Sequence, residues 1–166
     1  MDILFARRSI RKFVEGEISS QQVEELLRAA MVAPSAGNAQ PWHFMVIRDR
    51  GMLERIPDIH PNASMACDAQ LAIMVCADPS LEKYSGRWPL DCSAATQNIL
   101  LAATSMGLGS VWVGVYPDEQ RMDQMRELCG IPATISPFAL IPIGQPGEQK
   151  PPNDRYLPER VHHDRW

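Results

Sequence analysis

Apolar and polar positions alternate along this chain with helical and strand-like periods in turn. In SSQQVEELLRAAMVAP (19–34), Val23, Leu26, Leu27 and Ala30 share one helical face. Ser19 followed by Gln22 forms a capping-box pattern, and Pro34 closes the segment. HFMVIRD (43–49) reads as a short strand rich in apolar residues. Pro57 and Pro61 interrupt residues 50–70, where short helical turns and a loop are expected. LAIMVCAD (71–78) is a continuous apolar run, which predicts a central strand covered on both faces. DCSAATQNILLAATSMGLG (91–109) is apolar nearly all round and predicts a buried helix with Gly107 as its C-cap. SVWVGVY (110–116) predicts a strand, DEQRMDQMRELCG (118–130) a helix and FALIPIG (138–144) a last strand. From Gln145 onward, Pro146, Pro151, Pro152 and Pro158 predict a tail with little regular structure. It ends in Val161 and Trp166, so it needs a surface to lie on.

Helices alternating with four buried strands fit one sheet with helices on both faces, in an α/β or α+β arrangement. Periodicity alone favours a doubly wound order. A length of 166 residues suits a single domain over 1–166, able to bury ~70% of its unfolded surface. A net charge of -4 argues against nucleic acid or an anionic membrane as a partner. No apolar run approaches the ~18 residues of a membrane span, and Arg7 and Arg8 arrive too early for a signal peptide. A cytoplasmic location is expected. Cys67, Cys76, Cys92 and Cys129 form no CxxC pair and are expected to be reduced and mostly buried. His162 and His163 are adjacent and would diverge on a regular element, so no metal site is expected.

Candidate chemistry lies in three stretches. FARRSIRKF (5–13) concentrates Arg7, Arg8, Arg11 and Lys12 around the Ser9 hydroxyl in a chain that is otherwise mildly acidic. It is either a solvated basic face or an anion site. APSAGNAQPWHF (33–44) combines the breakers Pro34, Gly37 and Pro41 with the polar side chains of Ser35, Asn38 and Gln40. Small residues there would let a planar ligand approach, although turn residues also suit a plain helix-to-strand connection. In GLGSVWVGVY, Gly114 interrupts a strand and marks either a bulge or close approach of a ligand. No GxGxxG follows a strand, and neither a Walker A motif nor GxSxG occurs. A binding site without an evident acid, base or nucleophile fits chemistry carried by a cofactor.

RRSIRKF, APSAGNAQPWHF, DCSAATQNILLAATSMGLGSVWVG and the ending DRYLPERVHHDRW, in that order and spacing, resemble the FMN-dependent nitroreductase family in its short bacterial form. The resemblance covers nearly the whole chain. It implies an α+β fold with a central mixed β-sheet flanked by helices on both faces. It also implies an intertwined homodimer, with 145–166 as an extended C-terminal tail. Arg7, Ser9 and Arg11, with Arg8 beside them, would hold the phosphate of non-covalent FMN, and Arg155 would close that site from the tail. Lys12 would be a solvated neighbour. Pro34, Ser35, Ala36 and Asn38, supported by Gln40, would reach the flavin ring from the other subunit. Many relatives carry a second serine where this chain has Ala36. Asn62 corresponds to a flavin-contacting asparagine of some relatives, and Val113 with the Gly114 backbone would meet the ring.

The resemblance further implies an oxidoreductase that takes electrons from NADH or NADPH. It would pass them to a small electron-poor acceptor, such as a nitroaromatic or quinone, by a ping-pong scheme. Alternatives are a family offshoot acting on flavin or on halogenated aromatics, and a non-catalytic flavin-binding or sensing module. Short connections stand where longer relatives carry the insertions that shape a substrate channel, so the acceptor does not carry over. Arg87, Arg121 and Arg165 are equal candidates for a 2'-phosphate contact.

Overall fold

The computed structural model describes residues 2–151 and 153–166, and the tail proline Pro152 lies outside the described residues. The chain opens with a short helix, α1 (Asp2–Ala6), and a two-residue strand, β1 (Phe13–Val14). Neither is long enough to write a period into the sequence. Helix α2 (Ser20–Met31) carries the predicted capping box: the Ser19 side chain accepts from Gln22 N–H, and Gln22 reaches back to Ser19 N–H. Strand β2 (Trp42–Ile47) leads to α3 (Arg50–Ile59), a ten-residue helix where only short turns were expected. Asp49 caps α3 through Met52 N–H. Pro57 lies inside it and removes one amide donor, while His60 N–H still bonds to Ile56 C=O and carries the helix to its end. Pro61 then starts a 3₁₀ segment over Pro61–Asp68.

Next come β3 (Leu71–Ala77) and the long α4 (Trp88–Ser105), which begins three residues before the predicted start, with Pro89 in its first turn. Two short strands follow, β4 (Gly109–Ser110) and β5 (Val113–Gly114), then α5 (Glu119–Cys129) and β6 (Ser136–Pro146). Asp118 caps α5, and Gly130 ends it in the left-handed region at φ 64°. β6 runs two residues into the stretch expected to be tail.

The sheet order is β1-β6-β3-β2, with β4 and β5 also pairing β6. Each ladder is antiparallel, and an isolated bridge between Ser9 and Ser110 supplies a parallel element. A doubly wound order is therefore corrected: β2, β3 and β6 pair antiparallel, and no parallel crossover links them. β3 is buried along its whole length, as a strand covered on both faces must be. Leu71, Ile73, Val75 and Ala77 pack with α2 and α4, while Ala72, Met74 and Cys76 pack with α3 and α5.

The predicted single strand over 110–116 is split in two. β4 and β5 share one register on β6, which places Val111 opposite Pro142. Pro142 has no N–H, so the ladder lapses there and Val111–Trp112 becomes free to form a wall. All four cysteines are free, and Cys76, Cys92 and Cys129 are buried. Burial pushes the Cys76 and Cys92 thiols up to about 12 and that of Cys129 to about 11, so all three stay protonated and inert. Among the described residues no helix is long and apolar enough to cross a membrane.

Candidate functional site

Residues 7–11 lie between α1 and β1 and are tied to the sheet by Ile10 N–H, which donates to Ser110 C=O. The start of the tail folds back over them: Arg8 Nε donates to Pro151 C=O at 2.8 Å, and Lys150 Nζ to Ser9 C=O at 2.6 Å. Between the two segments is a cleft of about 870 Å³ whose walls include Arg7, Arg8, Ser9, Arg11, Lys150 and Arg155. The predicted cluster and the tail arginine thus meet in one place. Among the described residues none of Arg7, Arg8, Arg11 and Arg155 forms a salt bridge. Arg7 is held below its ordinary pKa, first by burial and then by the charges of Arg8 and Arg155. A guanidinium depressed by burial and by neighbouring cations in a cleft is placed to receive an anion.

Their roles differ. Arg8 donates from Nε and Nη1 to the carbonyls of Phe5, Arg7 and Pro151, so it braces the cleft, while its buried Nη2 has no partner among the described residues. Glu148 accepts the Arg11 N–H at 2.6 Å and pairs with Lys150 at 3.3 Å, which fixes the Arg11 backbone while leaving its side chain to the cleft. Lys12 is exposed and lines neither this cleft nor the one described next.

Arg11 also lines a second cleft of about 640 Å³, whose wall includes Asn62, Val113, Gly114, Arg121 and Trp112. Gly114 has an ordinary backbone conformation, and an added Cβ would meet only Tyr116 O, at 4.0 Å. Neither strain nor packing requires glycine there. The space a Cβ would take is open cleft, which is the cradle a flat ligand needs against a strand. Of the three arginines considered for a 2'-phosphate, Arg121 alone lines this cleft, where it pairs with Asp118 at 3.1 Å.

The loop from Pro34 to Gln40 lines neither cleft. It is wound through left-handed backbone at Gly37 (φ 62°), Asn38 (φ 55°) and Gln40 (φ 50°). Such strain persists only when the surroundings hold it. Asp91 Oδ1 accepts from Ala36 N–H at 2.9 Å, Lys83 Nζ donates to Gly37 C=O at 2.5 Å, and Ser35 Oγ accepts from Gln40 N–H at 3.0 Å. The Gln40 side chain in turn donates to Asn38 Oδ1 at 3.2 Å. Asn38, Gln40 and Pro34 are exposed.

Sequence reasoning missed Lys150, Glu148, Asp91 and His60. Each acts on a residue more than fifty positions away, across contacts that no local pattern encodes. Asp91 is the one charged residue of α4, and that was its one available signal.

A family model described as "Nitroreductase family" matches residues 4–60 and 60–145. The chain is 50% identical to a Methanothermobacter thermautotrophicus protein provisionally named NADH dehydrogenase/NAD(P)H nitroreductase, an alignment spanning 100% of this chain and 88% of that one. An FMN-dependent nitroreductase of Clostridium difficile superposes with a TM-score of 0.91 at 28% identity, covering 99% of this chain and 98% of that one. NADPH:FMN oxidoreductase of Vibrio harveyi, solved with NAD+, superposes with a TM-score of 0.84 at 25% identity, covering 99% and 76%. With its motifs, fold and match across residues 4–145 in agreement, the chain belongs to the nitroreductase family.

Proposed function

We propose that this chain is an NAD(P)H-dependent FMN oxidoreductase that reduces nitroaromatics, quinones or similar electron-poor acceptors. The observation that carries this reading is the set of arginines around Arg7 that form no salt bridge among the described residues, joined through Arg11 to the open backbone at Gly114. The residues present fit FMN. Its phosphate carries ~2 negative charges and suits the forked donors of Arg7, Arg11 and Arg155 with the Ser9 hydroxyl. Gly114 offers a backbone N–H with no Cβ in the way, Val113 flanks it, and Asn62 adds a side-chain amide on the same wall. When bound, FMN supplies the redox chemistry, taking hydride from the nicotinamide and passing electrons on. The protein binds, orients and screens from water, and no side chain is assigned as general acid or base.

A second copy of the chain supports the site. The loop from Pro34 to Gln40 is rigid, exposed and absent from its own clefts, which suits a part that covers the ring bound by a partner. α1, α2 and α4 border an apolar groove of about 410 Å³ that includes Ile3, Leu4, Val32 and Leu101. Tyr156, Leu157, Val161 and Trp166 are exposed along the tail, with Trp166 wholly so. Residues 1–166 thus read as one FMN-binding domain whose segment 145–166 wraps a twin, giving a homodimer that buries well over ~2,000 Å². With one open face over the ring, NAD(P)H and the acceptor occupy the cleft in turn.

The test is direct. Purified protein should be yellow, and mixing with NADH or NADPH should bleach it rapidly, with parallel double-reciprocal plots across acceptor concentrations. A chain that binds FMN yet fails to bleach would be a flavin-binding module, and the oxidoreductase reading would be wrong.

A further inference from the structure

His60 sits where α3 hands over to the 3₁₀ segment, and it is only 4% exposed. Its backbone is held on both sides: its N–H bonds to Ile56 C=O, and its C=O accepts from Ala63 N–H at 2.7 Å. The imidazole Nε2 lies 2.9 Å from the Gly114 carbonyl oxygen. A carbonyl only accepts, so Nε2 carries the proton. Nδ1 is buried without a partner among the described residues. An apolar side chain of similar size would avoid that cost, so the ring is there for its Nε2–H. Arg121 adds a second donor, its Nη1 lying 3.4 Å from the same oxygen.

The target of these two donors is the residue the cleft requires to be glycine. Val115 N–H bonds to Phe138 C=O on β6, so by the two-residue alternation of a strand the polar groups of Gly114 face away from β6. The Gly114 carbonyl and its N–H share that outward edge, and both belong to the cleft wall. Glycine is the freest residue in the chain, and a missing Cβ leaves its backbone loosely defined. A site that uses a glycine N–H therefore needs something else to hold that peptide still.

We infer that His60 is a positioning residue which, with Arg121, clamps the Gly114 carbonyl and so aims the Gly114 N–H into the FMN cleft. The inference rests on the FMN reading and adds to it a residue outside every motif of the sequence. His60 borders the second cleft, but its one hydrogen-bonding ring nitrogen is committed to the Gly114 carbonyl, so it acts through Gly114. Its loss should therefore leave FMN bound and degrade what the oriented N–H does.

The sequence provides a clean probe, because Gly114–Val115 is the one Gly-Val pair in the chain. Carbonyl-13C glycine with 15N valine labelling isolates the Gly114 carbonyl as one resolved NMR signal in the full-length, FMN-loaded protein. In His60→Leu that signal should move upfield as a hydrogen bond is lost, and in His60→Gln, which keeps a donor at similar reach, it should stay near wild type. Flavin reduction by NADH should slow ~10-fold in His60→Leu, the scale of one hydrogen bond, and recover in His60→Gln. FMN affinity should change by less than ~3-fold in both variants. If His60→Leu does not fold, His60→Asn, whose amide is too short to reach, takes its place against His60→Gln. An unmoved carbonyl signal with an unchanged reduction rate overturns the inference, as does a His60→Gln variant no better than His60→Leu. Failure of the wild type to bind FMN would instead overturn the cofactor reading, independently of His60.

Discussion

The two ends of the segment from Gly109 to Gly114 use glycine for opposite purposes. At the first end a Cβ on Gly109 would stand 2.7 Å from Ile10, and one on the facing Gly144 would stand 2.8 Å from the Phe13 ring. These glycines let β1 and the arginine segment close onto the sheet. At the second end a Cβ on Gly114 would meet nothing nearer than Tyr116 O, at 4.0 Å. The protein does not need that glycine for itself. One end is small because the chain fills it, and the other because the chain leaves it open. The difference separates a glycine that packing requires from one that packing does not, a distinction that a lone glycine in a strand cannot make in sequence.

The largest effect should come from the open end. Gly114→Val should fold with a Tm close to wild type, yet bind FMN ~100-fold or more weakly, because the new side chain occupies the cradle. Isothermal titration beside a melting curve checks both halves, and a destabilised variant with normal FMN affinity would reverse the comparison. The packed end should answer in the other currency. Gly144→Ala should lose ~1–3 kcal/mol of stability from overpacking against Phe13 and Gln70, while the folded fraction still binds FMN. Chemical denaturation measures it.

The loop at 35–40 extends the same contrast to a region that is rigid rather than open. Asp91→Ala removes the acceptor for Ala36 N–H and should release the left-handed backbone, costing ~1–3 kcal/mol and a few-fold in FMN affinity. Asp91→Asn keeps an acceptor and removes a buried charge whose Oδ2 has no partner among the described residues, so it should be neutral or stabilising. Equal loss in both variants would show that charge, not the hydrogen bond, holds the loop.

A smaller effect should appear in acid. The Arg11 N–H, with Lys150 beside it, holds the Glu148 carboxyl below its ordinary pKa of 4.5. A depressed carboxylate contributes stability that is present above the ordinary value and lost as pH falls through the folded one. The basic cleft should therefore loosen below about pH 4.5, with Glu148→Gln flattening that limb of the FMN-binding profile. An unchanged acid limb in Glu148→Gln would place the transition on another group.

Local chemistry made much of this legible in sequence. The Ser19–Gln22 capping box and the fully apolar β3 each carry their meaning within a few residues, whereas the charge cluster from Arg7 to Arg11 is visible there but reads equally as a solvated face. The misreadings share a cause. Pro57 looked like a breaker, but a helix bonded on both sides of it survives one lost donor. The split between β4 and β5 is set by Pro142, a residue on a different strand. His60 and Asp91 matter through single hydrogen bonds spanning 54 and 55 residues. The arginines announced themselves by type; the residues that hold Gly114 and Ala36 in place are defined only by where the fold puts them.

The central claim is that Arg7 and its neighbours form a site for the FMN phosphate. The most direct test compares FMN with riboflavin, which has the same ring and no phosphate, on wild type and Arg7→Ala. Wild type should bind FMN far more tightly than riboflavin. Arg7→Ala should weaken FMN by ~10- to 100-fold, the worth of a charged hydrogen bond of ~1.5–3 kcal/mol, and leave riboflavin nearly unchanged. If Arg7→Ala weakens both ligands equally, or neither, the arginine cluster is not a phosphate site and the account is contradicted.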